Sequence, residues 1–196
     1  SPCMAVGLSP QARFEQLPEG TSFWSARLLH ASTGNVLEVT VIGNSGTRSQ
    51  KQRDVGMLMD KYADHAASTE VLMLGNNIYG PNLYDHLDFV GSFEEPYRRM
   101  LKRGVCFHAT LGHEDQDYAD VQLFYQPFHM YEKRYYSRIF DEGLVEVFML
   151  DSERLRDPDR GTDAHAQLAW LDEALARSRA TWKIVGLYRS LTSNVR

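Results

Sequence analysis

Three short runs hold the residues with the most chemistry to offer, and each is an apolar segment that stops at a glycine and turns polar at once. Val71-Leu72-Met73-Leu74 leads into Gly75-Asn76-Asn77-Ile78-Tyr79. Leu37-Glu38-Val39-Thr40-Val41-Ile42 leads into Gly43-Asn44-Ser45-Gly46, and the segment from Val105 to Leu111 leads into Gly112-His113-Glu114-Asp115. A buried strand of an α/β sheet ends this way when it delivers side chains to the carboxyl edge, where ligands bind because helices cover both faces. The amides of Asn44 and Asn76 can offer oxygens to a single weakly held hard ion, or can hydrogen-bond their own loops as turn residues. His113, Glu114, Asp115 and Asp117 stand close together and read either as a second hard-ion site or as a solvated acidic loop.

Alternating strands and helices must position these tips. The spacing predicts a strand over 37–42, a helix over about 50–63 with Val55, Leu58, Met59 and Tyr62 on its buried face, and a strand over 71–74. A loop with Pro81, Asn82, Tyr84, Asp85 and His86 follows. Ser92 and Glu95 have capping-box spacing and predict a helix start there. Pro96 falls in its first turn, Phe93, Tyr97, Met100 and Leu101 form its buried stripe, and Arg98, Arg99, Lys102 and Arg103 load its far end. A third strand covers 105–111. Residues 135–140 and 144–150, joined by Asp141-Glu142-Gly143, read as a β-hairpin. After a polar loop with Pro158 and Gly161, a helix over about 163–178 turns Ala164, Leu168, Leu171 and Leu175 inward, and a last strand runs from Trp182 to Leu187. The aromatic stretch from Phe124 to Tyr136 reads first as core packing. His108, inside a strand, reads as a core histidine, and His65, His86, His129 and His165 as surface ones.

The 196 residues suffice for one domain with a full core, here residues 36–196, preceded by an extended arm over 1–35. The arm holds Pro2, Pro10, Pro18, Gly20 and Gly34, with one short element at Phe23 to Leu29, and it is too apolar to be a free tail. A net charge of −5 gives no basic face for nucleic acid, and no apolar run approaches the ~18 residues that span a bilayer. Cys3 in the arm and Cys106 in an apolar run read as unpaired, Cys106 as a buried thiol.

The strand-end blocks, over residues 37–196, resemble those of the calcineurin-like metallophosphoesterases, nearest the purple acid phosphatases. The usual family blocks are G-D-x-G, G-D-N-x-Y, G-N-H-D and a later G-H-H-P. They are answered here by Gly43-Asn44-Ser45-Gly46, Gly75-Asn76-Asn77-Ile78-Tyr79, Gly112-His113-Glu114-Asp115 and Gly186-Leu187-Tyr188-Arg189. The resemblance implies an α/β layered sheet flanked by helices and a site for two metal ions (iron, zinc or manganese) that bind phosphate and generate a hydroxide.

By the same resemblance, Asn44, Asn76, Tyr79 and His113 stand at metal-ligand positions and Glu114 at that of a catalytic histidine. Two of the family's aspartates have become Asn44 and Asn76, His113 replaces an asparagine, and Leu187 replaces a histidine ligand. Only Tyr79 keeps its type, with Asn77 and Asp115 beside the ligand places. The implied function is a degenerate domain without catalysis that serves a structural or partner-binding role, with no cofactor. The alternative is a metal-dependent phosphatase or phosphodiesterase with an atypical site. The family's final G-H-x-H block does not appear, so the sheet is expected to be incomplete at its C-terminal side. A protein partner, a second copy or the arm is then expected to cover its edge.

Overall fold

In the computed structural model, the structure describes residues 3–6, 13–16, 23–29, 36–66, 69–80, 86–156 and 163–190. Most of the arm, the expected loop residues Pro81, Asn82, Tyr84 and Asp85, and Pro158 and Gly161 lie outside these. The protein is mixed α/β with two sheets. The first has the order β2-β3-β4-β5-β6, made of Arg13–Gln16, Phe23–Leu29, Val36–Ile42, Glu70–Leu74 and Cys106–Thr110. The second has the order β1-β9-β8-β7, made of Cys3–Val6, Trp182–Leu187, Val145–Leu150 and Tyr136–Phe140. The β4-β5-β6 ladder is parallel, as is β8-β9, and the remaining pairs are antiparallel. Parallel neighbours need long crossovers. Here α1 (Gln50–Ala66), α2 (His86–Phe89) with α3 (Arg98–Lys102), and α5 (Ser152–Arg156) with α6 (Asp163–Arg177) lie on those connections.

The sheets pack face to face. Thr110 Oγ1 donates to Leu150 O at 2.6 Å, Tyr136 OH donates to Ala109 O at 2.8 Å, and Gly186 lies against Met149 and Leu74. On the outer face of the five-stranded sheet, Phe93 and Tyr97 set their rings 5.0 and 5.2 Å from Phe107. On the outer side of the other, Trp170 of α6 lies 6.4 Å from Phe148. The layers are helix, sheet, sheet, helix. Strands β5 and β8 are buried nearly throughout, which is why residues 71–74 and 147–150 read as apolar runs rather than alternating ones.

Two expected stripes each lose one leucine to the surface, Leu58 and Leu168, while Val55, Met59 and Tyr62 of the first stay packed on the core. Helix α1 turns Gln52, Gly56, Met59 and Ala63 inward and leaves Leu58 46% exposed. The cause lies in the neighbouring segment, where no capping-box helix forms. Glu95 N donates to Val90 O at 2.9 Å, closing a π-helical turn over Val90–Glu94 before α3. Pro96 has no N–H for the carbonyl four residues back, so Ser92 O is free and accepts Gln52 Nε2 at 2.5 Å. Ser92 Oγ accepts Arg48 Nε at 2.9 Å instead of capping. A Cβ at Gly56 would stand 2.3 Å from Pro96 O, so the glycine is what lets α1 come this close.

In α6 the one fully buried residue is Gln167, which accepts Asp151 N at 2.9 Å, while Leu168 faces outward. The hairpin of β7 and β8 forms in the expected place, and the expected short element at 23–29 is strand β3. The outer side of β9 is lined by β1, with Cys3 opposite Leu187 and Val6 opposite Ile184. Of the three expected covers, a partner, a second copy or the arm, the arm supplies the strand at this edge. No helix among the described residues is long and apolar enough to cross a membrane.

Candidate functional site

The carboxyl ends of β4, β5, β6, β8 and β9 meet at one end of the molecule, and their loops are tied backbone to backbone. Asn44 N donates to Gly75 O at 3.0 Å, Gly46 N to Asn76 O at 3.2 Å, and Tyr79 N to Gly46 O at 3.0 Å. Asn44 and Asn76 both have φ of 54°, the left-handed region that asparagine tolerates best after glycine. The closeness needs glycine as well, because a Cβ at Gly112 would lie 2.3 Å from Asn76 N and 2.4 Å from its Oδ1.

Asp115 holds this packing together from below. It is fully buried and accepts Gly112 N at 2.8 Å, Asn77 N at 3.0 Å, Ile78 N at 3.3 Å and Gln122 Nε2 at 2.8 Å. Burial pushes its carboxyl above the usual aspartate range, against the pull of those four donors. Asn77 is also turned inward, donating to Thr110 O at 2.9 Å and to Gln122 Oε1 at 3.1 Å.

Above it the structure brings together Asn44, Asn76 and Tyr79 of the expected set, and adds Tyr188. Asn76 Oδ1 accepts Glu114 N at 3.0 Å, which fixes the amide's orientation. Its Nδ2 therefore faces three oxygens: Tyr79 OH at 2.7 Å, Tyr188 OH at 2.8 Å and Asn44 Oδ1 at 2.9 Å. Tyr79 OH donates in turn to Asn44 Oδ1 at 3.0 Å. Burial raises the Tyr79 phenol above its usual value, more than the Asn76 bond lowers it, and Tyr188, Glu114 and Asp115 add to the rise. The cluster is two amides and two phenol side chains, with no carboxylate, imidazole or amine among them.

The remaining expected residues go elsewhere. His113 is exposed, with Nδ1 3.2 Å from Glu153 Oε2, and Glu153 Oε1 pairs with Arg189 Nε at 3.0 Å. The Arg189 guanidinium lies 5.2 Å from the centre of the Tyr188 ring. Glu114 contributes its backbone N–H to the cluster, and its side chain is exposed, as is that of Asp117. Asp115 points inward, so residues 113–117 converge on no common point. Among the described residues, no three His, Cys, Asp or Glu side chains gather in a way that could hold a metal. Leu187 ends β9 as a buried core residue.

Gln122 and Asp151 escape a reading by motif, whereas Tyr188 stands in the fourth block and reaches the site without having been expected there. Tyr188 follows the end of β9, and Gln122 lies on α4 (Ala119–Phe124). Asp151 follows the apolar run of β8 at once, and this was its available signal. It is buried, pairs with Arg134 Nη1 at 3.0 Å, accepts Gln116 Nε2 at 3.1 Å, and takes the N–H groups of Glu153 and Arg154 at the start of α5. His108 is buried as expected, with Nε2 2.7 Å from Glu70 Oε2, while Cys106 is a half-buried free thiol. No family model matches the chain, and no curated protein sequence matches it.

Proposed function

We propose that this chain is a metallophosphoesterase-like domain that does not hydrolyse phosphate esters and serves as a structural or protein-binding unit. Support comes from the helix, sheet, sheet, helix layering and from the convergence of five strand-end loops, four of which carry the blocks that resemble the family's. The observation that carries the reading is the orientation of Asn76. With its oxygen held by Glu114 N, its NH2 group sits among the three oxygens that a cation would need.

That donor set does not fit two divalent ions. At ~4 Å separation they repel by roughly 17 to 20 kcal/mol even at an effective dielectric of about 20. Bridging anions normally offset this, whereas a neutral hydrogen-bonding group contributes about 1 kcal/mol net. The Asn76 N–H groups satisfy the same oxygens without charge, and the cluster closes on itself.

The test combines metal content with turnover. The purified protein is equilibrated with iron, zinc or manganese, dialysed, and measured for bound metal and for hydrolysis of aryl phosphate mono- and diesters. The expected result is metal well below one ion per chain and no turnover above buffer. Near-stoichiometric metal with turnover would restore the metal-dependent phosphatase or phosphodiesterase as the better account.

A further inference from the structure

The segment that follows Asp115 has an inner side committed to the fold and an outer side that nothing in the fold uses. A 3-10 turn over Gln116–Tyr118 leads into α4. Ala119 and Gln122 are buried, and the Gln122 amide joins Asp115 to Asn77. Past the helix, Tyr125 OH donates to Glu94 Oε1 at 2.6 Å, and Glu132 N donates to Leu123 O at 3.3 Å. The helix is therefore fixed from below and at its end. On the outer side Tyr118, Val121 and Phe124 are 48%, 40% and 65% exposed and follow one another at intervals of three residues. Positions three and four apart share a helical face, so the three make an apolar stripe ~9 Å long. Asp117 and Asp120 are exposed on that face too, each four residues before Val121 or Phe124, and Glu114 is exposed just upstream. Among the described residues none of these three carboxylates forms an ion pair. From Gly104 to Glu132 the chain holds no lysine or arginine. The Arg134 guanidinium reaches this segment at Gln116 Oε1, but it is already paired with the buried Asp151.

We infer that this face docks a basic amphipathic helix of another protein. The partner's apolar stripe lies along Tyr118, Val121 and Phe124, and its lysines or arginines meet Glu114, Asp117 and Asp120. Charge selects among the occupants that an apolar stripe alone would admit. A nucleic acid or an anionic membrane meets its own sign here. A second copy of this chain sets acids against the same acids, a juxtaposition that costs affinity. An uncharged helix covers the stripe but shields the flanking carboxylates from water without pairing them. A basic helix satisfies both halves of the surface. The interval of the stripe matches the i, i+3 anchors by which one helix lies along another surface, and its two aromatic rings are of the kind that dominate such contacts. Because Gln122 holds α4 in place beforehand, little further ordering is needed when the partner arrives. The docking surface rests on the protein-binding reading proposed above, which metal content and turnover test separately.

Fluorescence anisotropy on the intact chain tests it, with circular dichroism as the folding control. The probe is a labelled peptide of about 18 residues, long enough to hold a helix, with leucines at helical spacing on one face and lysines and arginines flanking them. Binding is expected with a Kd on the order of 10 μM or tighter, weakening as salt is added. A peptide of the same composition in scrambled order should bind at least about tenfold more weakly. Phe124→Ala, at an exposed position, should cost at least about tenfold, while Leu168→Ala, exposed on α6, should cost nothing. The double variant Asp117→Lys, Asp120→Lys should lose the basic peptide and take up a counterpart whose lysines and arginines are replaced by glutamates. No binding by the wild type overturns the proposal. Binding that ignores Phe124→Ala, or that the scrambled peptide equals, is general attraction to a chain of net charge −5 and overturns it equally. Failure here in a protein without metal or turnover leaves the inactive domain standing, whereas turnover sinks that reading whatever the peptide does.

Discussion

Asn76 uses both ends of its amide, and the two ends cannot be separated by a conservative change. An aspartate there keeps an acceptor for Glu114 N but turns a second acceptor toward Asn44 Oδ1 in place of a donor. Tyr79 and Tyr188 can rotate their hydroxyls to donate, so the loss falls on the pair of facing oxygens. Asn76→Asp is expected to destabilise the fold by about 1 to 3 kcal/mol, read as a lower denaturant midpoint with an unchanged slope. Asp115 shows the opposite dependence, because only acceptors are wanted below the site. An amide at 115 would point N–H at N–H, since all four partners are donors. Asp115→Asn should cost about 3 kcal/mol. The pH dependence adds a signature. Burial holds the folded carboxyl above its ordinary range, so its proton-linked stability is full below the unfolded pKa and is lost as pH rises through the folded one. The gap in stability between wild type and Asp115→Asn should therefore widen as the pH is lowered from about 7 toward about 4. A gap that narrows would show that the four donors, not burial, set this pKa.

Strand tips of this kind can approach only where side chains are missing, and Gly112 is one such place. A Cβ there must displace Asn76, and with it the three-oxygen contact of its amide. Gly112→Ala is expected to cost about 3 kcal/mol, the upper part of the overpacking range, and to abolish the Asn76 contacts. A thermal midpoint within a degree or two of wild type would mean the β5 and β6 loops can part. The same glycines made these elements legible in the sequence, because an apolar run that stops at glycine marks a buried strand tip. The hairpin and the last strand were legible for the same kind of local reason. Of the Ser92–Arg103 helix the buried face of Phe93, Tyr97, Met100 and Leu101 was legible but its break was not, since the spacing ignored that Pro96 frees the Ser92 carbonyl and that Gln52, forty residues away, satisfies it. On α1, Val55, Met59 and Tyr62 kept the expected face. Leu58 looked inward by period, but Gly56 is where the backbone can approach. At the site, Asn44, Asn76 and Tyr79 were visible as strand-end residues. Tyr188 was visible in the fourth block, but its bond to Asn76 and the inward turn of Asp115 were not, because both depend on how five loops interlock.

At the scale of the molecule, the segment least legible in the sequence has the widest reach. Its prolines and glycines mask strands that exist only by pairing: β1 on β9, far along the chain, and β2 on the next strand, β3. No local period could announce them, because a four-residue strand acquires its identity from the ladder it joins. Strand β1 matters most, since it lies antiparallel along β9, the element whose end presents Tyr188 to the Asn76 amide. Without it, β9 becomes an edge with unpaired backbone groups beside the buried residues Trp182, Ile184 and Leu187. Removing residues 1–6 is therefore expected to lower the thermal midpoint and to produce light-scattering aggregates on heating, because a bare backbone edge can be prolonged by any extended chain. A truncated protein with the wild-type midpoint and no added scattering would show that β9 is protected by its own side chains. The pairing of β1 would then be an accessory of the fold and not the cover of its edge.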